Sequence, residues 1–116
     1  MQKPTLIHNP HCSKSRGAKE ILEERGIEFN TVDYLRDGLK EKLLLHLPKL
    51  LNLSYEKMIR SKEDIYKDLN LGEKSLSDKE WVDVLMKHPV LLERPIFIKG
   101  DKAIIARPSE LVLEII

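Results

Sequence analysis

A chain of 116 residues with 41% apolar side chains has enough material for one core in one domain, and too little for several. Twenty Lys and Arg against nineteen Asp and Glu leave a formal charge of +1, so no overall field recruits nucleic acid or an anionic membrane, and any anion site must be local. No apolar run approaches the roughly twenty residues that span a bilayer, and the opening Met-Gln-Lys-Pro-Thr lacks the apolar segment of a secretory signal, so a soluble cytoplasmic protein is expected.

The chain opens with Thr5-Leu-Ile-His8, which reads as a short strand, followed by Asn9-Pro10 as a turn. A helix is predicted from Ser13, with Ala18, Ile21 and Leu22 on its apolar face and Gly26 closing it just past its C-terminus. Residues 28–33, with Phe29, Thr31 and Val32, suit a second strand, and the three elements together form a β-α-β unit with a parallel pair.

From residue 39 to about 88 the sequence reads as a helical insertion within the single domain of residues 1–116. Leu43, Leu44, Leu47, Leu50 and Leu51 keep helical spacing, although Pro48 is expected to kink or end that helix unless it falls in a first turn. A short turn from Ser54 leads through Met58-Ile-Arg60, and residues 62–70 carry Ile65, Tyr66 and Leu69 on one helical face. Ser77-Asp-Lys-Glu80 is a capping box that opens the helix of Trp81, Val82, Leu85 and Met86, which His88-Pro89 stops.

The C-terminal stretch reads as a hairpin: Ile96-Phe-Ile-Lys99, a Gly100-Asp101 loop of type II′, then Lys102-Ala-Ile-Ile. With that loop every facing pair sums to 201, so Lys99 opposes Lys102 and, further out, Arg94 faces Arg107. Like charges across a ladder are destabilising unless an anion lies between them. Ser109 is then expected to cap a final helix that turns Leu111, Val112, Ile115 and Ile116 inward.

Cys12 is the sole cysteine, which excludes an internal disulfide, and Ser15 stands where a Cys-x-x-Cys motif would place its second thiol. A lone cysteine is commonly a small buried hydrophobe. Cys12, however, precedes a helix whose free N–H groups and positive dipole end stabilise a thiolate, with Lys14, Arg16 and His8 as nearby cations. Ser13 and Ser15 read equally well as helix caps or as site residues, His8 as the end of a strand or a site residue, and Arg60 as an ordinary surface charge. One cysteine and four scattered histidines show no metal-ligand spacing, and Arg16 follows Cys12 too closely for a phosphatase loop.

As a set, His8-Asn-Pro-His-Cys12-Ser-Lys-Ser15-Arg16, Met58-Ile-Arg60, His88-Pro89 through Glu93-Arg94-Pro95, and Arg107-Pro-Ser-Glu110 resemble the glutaredoxin-coupled arsenate reductase family, in the family's order along the chain. The resemblance implies an α/β thioredoxin-like fold: a β-α-β start, the helical insertion, and a C-terminal hairpin plus helix completing a mixed four-stranded sheet, with a cis Arg94–Pro95 bond. It implies Cys12 as the catalytic thiol with His8 and Ser15 beside it, Arg60, Arg94 and Arg107 as oxyanion ligands, and Pro95 as a structural neighbour. The implied reaction is reduction of arsenate with glutathione as co-substrate and glutaredoxin as partner, by a monomer without a tightly bound cofactor or metal. Two alternatives share the fold: a glutathione-dependent thiol reductase acting on another substrate, and a Spx-type transcription regulator. The regulator typically carries the Cys-x-x-Cys switch that Ser15 breaks.

Overall fold

The computed structural model describes residues 3–116, so Met1 and Gln2, the start of the opening segment read above, lie outside the described residues. The chain divides into a sheet unit, up to Asp37 and from Arg94 onward, and a helical unit, Gly38–Glu93.

In the sheet unit, β1 (Thr5–His8), β2 (Asn30–Asp33), β3 (Ile96–Lys99) and β4 (Lys102–Ile105) form one mixed sheet in the order β2-β1-β3-β4. β1 runs parallel to β2 and antiparallel to β3, and β3 pairs antiparallel with β4. This is the mixed sheet expected of a thioredoxin-like domain. β2 is shorter than its sequence suggests because its partner sets its start: Thr5 pairs with Asn30, whose N–H reaches the Pro4 carbonyl at 2.8 Å, and Phe29 is left to pack from outside the ladder.

One sheet face packs against the first helix. Helix α1 (Ser13–Glu24) buries Ala18 and Leu22 against Leu6, Phe97, Ala106 and Val112, all without exposure. Each of the larger side chains, Leu6, Leu22, Phe97 and Val112, contributes on the order of 1.5–3 kcal/mol when withdrawn from water. α1 ends as expected, with Gly26 at φ +68, a conformation that costs glycine nothing. The short α2 (Tyr34–Asp37) follows β2 and buries Tyr34.

The hairpin register is the expected one, Ile96↔Ile105 through Lys99↔Lys102. Gly100 has φ +62 while Asp101 is not in the positive-φ region, which excludes a type I′ turn and fits type II′. The closing segment differs from expectation. It is a 3-10 helix, Ser109–Glu114, whose N-cap is Pro108, and the Ser109 hydroxyl caps nothing. Val112 is buried as expected, Leu111 and Ile115 pack partly buried against the core together with Leu113, and Ile116 does not turn inward but is 40% exposed.

In the helical unit, α3 (Glu41–Leu51) buries Leu44 and Leu47 and packs against α5 (Asp78–Lys87), which buries Trp81, Val82 and Leu85. The capping box forms as read: the Glu80 N–H donates to Ser77 Oγ at 3.2 Å, and the Ser77 N–H to Glu80 Oε1 at 3.0 Å. α4 (Asp64–Asp68) is shorter than the predicted 62–70 helix, since Asn70 turns left-handed at φ 55 and redirects the chain into a 3-10 turn with buried Leu71.

Pro48 neither ends nor starts α3 but lies one turn from its C-terminus. A proline there removes the N–H that the Leu44 carbonyl would accept. The buried Tyr55 hydroxyl supplies the substitute, donating to Leu44 O at 2.7 Å. The helix persists because a side chain outside it satisfies the group that proline orphans. Among the described residues no helix is long and apolar enough to cross a membrane.

Candidate active site

β1 ends on His8, and the chain then makes a tight loop before α1. Asn9, 5% exposed, builds it with three bonds: its carbonyl accepts the Cys12 N–H at 3.0 Å, its Oδ1 accepts the His11 N–H at 3.0 Å, and its own N–H donates to Ser15 Oγ at 3.2 Å. The sequence marked Asn9 only as a turn residue, and the Asn-Pro pair is the local signal for this wider role. Ser15, fully buried, thereby ties the loop to the helix and caps nothing, whereas His11 faces solvent.

Cys12 is the N-cap of α1, in extended backbone geometry at φ −97 and ψ 124, and is partly exposed. Burial opposes its ionisation, but the N–H groups of Ser15 and Lys14 and the guanidinium of Arg94 outweigh that, and the thiol is drawn down to about 7. Half of the sulfur is therefore thiolate near neutrality.

Not all of the expected cations act on it. The Arg16 guanidinium turns back to the Pro10 carbonyl at 3.1 Å. His8 is 5% exposed, and burial, then the charge of Lys19, lowers its pKa and so disfavours the cationic form. This corrects the reading of His8 as a cation. Among the described residues its buried Nδ1 meets no hydrogen-bond partner.

Arg94 and Arg107 flank the base of the hairpin, and the bonds there explain how they meet. The ladder extends one step beyond the strands, with the Ala106 N–H donating to Pro95 O at 2.8 Å, and then breaks, because the Arg107 N–H folds back onto Ile105 O at 3.0 Å. Arg107 is thus turned out of register and does not simply face Arg94. Its Nη1 donates to the Arg94 carbonyl at 3.0 Å and lies 3.9 Å from Cys12 Sγ. That separation is long even for sulfur, so the hydrogen bond is a weak one. The Arg94–Pro95 bond is cis, as expected, and the Arg107–Pro108 bond is cis as well, which the sequence did not indicate.

Arg60 belongs to the helical unit. It follows the 3-10 turn Tyr55–Met58, its N–H bonds to Leu91 O at 2.7 Å, and its Nε donates to Glu63 Oε1 at 3.1 Å. The structure thus brings Cys12, Ser15, Arg94 and Arg107 together with His8 and Pro95 in the sheet unit. A cavity of about 730 Å³ framed by Lys3, Thr5, Lys99 and Lys102 lies toward the opposite end of β1 from Cys12. Cys12 itself sits at the surface, with a low-pKa sulfur, helix N–H groups and guanidinium groups around it. That arrangement can hold a tetrahedral oxyanion against a nucleophile.

Known proteins resemble this chain in sequence and in fold. The ArsC family model matches residues 7–115. An arsenate reductase of Haemophilus influenzae is 43% identical over 112 residues, covering 96% of this chain and 97% of that one. The uncharacterized protein YfgD of Escherichia coli K12 is also 43% identical over 112 residues, covering 96% and 94%. The structure of an arsenate reductase from Vibrio cholerae superposes with a TM-score of 0.93 at 40% identity, over 98% of each chain. The chain belongs to the ArsC family, with that family's thioredoxin-like fold.

Proposed function

We propose that this protein reduces arsenate to arsenite, with the Cys12 thiolate as nucleophile and glutathione and glutaredoxin as the thiols that complete the reduction. The observation that carries the reading is the setting of Cys12: a thiol drawn to about 7 at a helix N-cap, with Arg107 Nη1 3.9 Å from its sulfur. Relatives named arsenate reductase at 43% identity and as solved structures support it.

Arsenate resembles phosphate and is substantially dianionic near pH 7. Guanidinium forks match its oxygens, and each charge-assisted bond contributes about 1.5–3 kcal/mol. Arg94 and Arg107 offset the charge that otherwise repels a thiolate. Arg60 is assigned as a third oxyanion ligand on its Met58-Ile-Arg60 motif. Ser15 contributes by fixing the loop, its Oγ accepting the Asn9 N–H, and His8 by ending the strand that leads into it.

In the first step Cys12 Sγ forms a bond to arsenic(V), and one arsenate oxygen leaves as water. Glutathione then adds its sulfur to arsenic, and a second oxygen leaves as water. A glutaredoxin thiolate attacks the glutathione sulfur, so that an S–S bond forms, the As–S bond breaks, and its electron pair stays on arsenic, now arsenic(III). Hydrolysis of the remaining Cys–S–As bond frees arsenite and returns the Cys12 thiol. One arsenic gains two electrons and two external thiols become one mixed disulfide. The single cysteine of the chain accounts for both external thiols. The need for reduced glutathione fits a cytoplasmic setting.

The test is oxidation of NADPH coupled through glutathione reductase, with glutathione, glutaredoxin and arsenate each omitted in turn. The proposal expects turnover only when all are present. Turnover that persists without arsenate would assign the protein to thiol reduction of another substrate.

A further inference from the structure

Gly17 occupies the interior of α1, where glycine costs about 1 kcal/mol relative to alanine. Its φ is not in the positive range, so the backbone does not demand it. What demands it is Ser109: a Cβ on residue 17 would lie 2.7 Å from Ser109 Oγ and 3.3 Å from Ser109 Cβ. The Ser109 hydroxyl, on a residue only 8% exposed, fits into that gap and donates to the Lys14 carbonyl at 2.7 Å.

The Lys14 carbonyl and the Ser15 N–H belong to the same peptide unit, and Ser15 N–H is one of the groups that bond the Cys12 sulfur. A hydrogen bond accepted at a peptide oxygen polarises the unit and makes its N–H a stronger donor. The same serine is two residues beyond Arg107, whose guanidinium stands at Cys12. Its hydroxyl thus anchors both a peptide and a cation to the thiolate.

We propose that Ser109 is a positioning residue for Cys12: its hydroxyl, admitted by the missing side chain of Gly17, relays through the Lys14–Ser15 peptide to the sulfur and holds the Arg107 turn against the start of α1. This rests on Cys12 acting as a thiolate, but its test needs no arsenate, so the two proposals fail separately.

Because Cys12 is the sole cysteine, alkylation of the whole chain by iodoacetamide reports on it alone. The rate is measured against pH for the parent, Ser109→Ala, Ser109→Thr and Gly17→Ala, with the fold checked by circular dichroism. Ser109→Ala is expected to move the thiol midpoint upward by roughly half a pH unit, toward the free-cysteine value of about 8.5. Ser109→Thr, which keeps the hydroxyl, is expected to retain the parent midpoint. Gly17→Ala keeps the hydroxyl and favours the helix, yet must displace Ser109 Oγ, so it is expected to reproduce the Ser109→Ala shift. An unchanged midpoint in a folded Ser109→Ala overturns the relay, and so does an equal shift in Ser109→Thr, which would assign the effect to packing. If Ser109→Ala does not fold, Gly17→Ala decides: a shift supports the proposal and no shift overturns it.

Discussion

Arg107→Lys separates the guanidinium's geometry from its charge. The native Nη1 serves two groups, the Arg94 carbonyl at 3.0 Å and the Cys12 sulfur 3.9 Å away, on a planar group whose fork matches the oxygens of an oxyanion. Lysine keeps the charge on one nitrogen at the end of a flexible stem, and that nitrogen cannot hold the carbonyl and present a fork at once. The loss is one charge-assisted bond, about 1.5–3 kcal/mol, and the exposure of Arg107 places it in the lower half of that range. At about 1.4 kcal/mol per tenfold, kcat/KM for arsenate is expected to fall about ten- to fortyfold. The coupled NADPH assay at subsaturating arsenate measures this directly, with circular dichroism to confirm that the variant is folded. A change within twofold would refute the assignment of Arg107 to the oxyanion, because a bare charge would then suffice.

Three further outcomes are expected. Tyr55→Phe orphans the buried Leu44 carbonyl and should cost about 1–3 kcal/mol in urea denaturation; Pro48→Ala restores an N–H to that carbonyl, so the same change should cost less in its background, and equal costs would contradict the pairing. The Cys12 thiol is lowered, so its thiolate is present above about pH 7 and lost as pH falls through that value; alkylation should be half-maximal there, and a midpoint at the free-cysteine value of about 8.5 would contradict the helix and arginine setting. Phosphate, of the same shape and charge, should compete weakly with arsenate, and no competition at high concentration would count against an oxyanion site.

Local signals were legible in the sequence where they act over a few residues. The Ser77 capping box, the Gly26 terminus of α1 and the Gly100-Asp101 turn each need only neighbours three or four positions apart, and the turn alone fixed the register from Ile96↔Ile105 to Lys99↔Lys102. The motif order made the thioredoxin-like sheet and the cis Arg94–Pro95 bond readable as well.

What escaped depends on partners that periodicity does not reveal. Pro48 looked like a helix breaker because the group that satisfies Leu44 is a hydroxyl outside the helix, on Tyr55. The two arginines looked like a facing pair because register was extended past the point where the Arg107 N–H turns back to Ile105 O. Ser109 looked like a cap because a six-residue 3-10 turn and an α-helix share their opening residues, and only the docking of its hydroxyl on Lys14 O separates them. His8 looked like a cation because burial cannot be read from a strand end.

The most direct test of the central claim is the rate of arsenate-dependent NADPH oxidation, with glutathione, glutaredoxin and glutathione reductase present, in the parent protein and in Cys12→Ser. The thiolate mechanism predicts turnover in the parent and none above background in a folded Cys12→Ser, and turnover retained in the serine variant would contradict it.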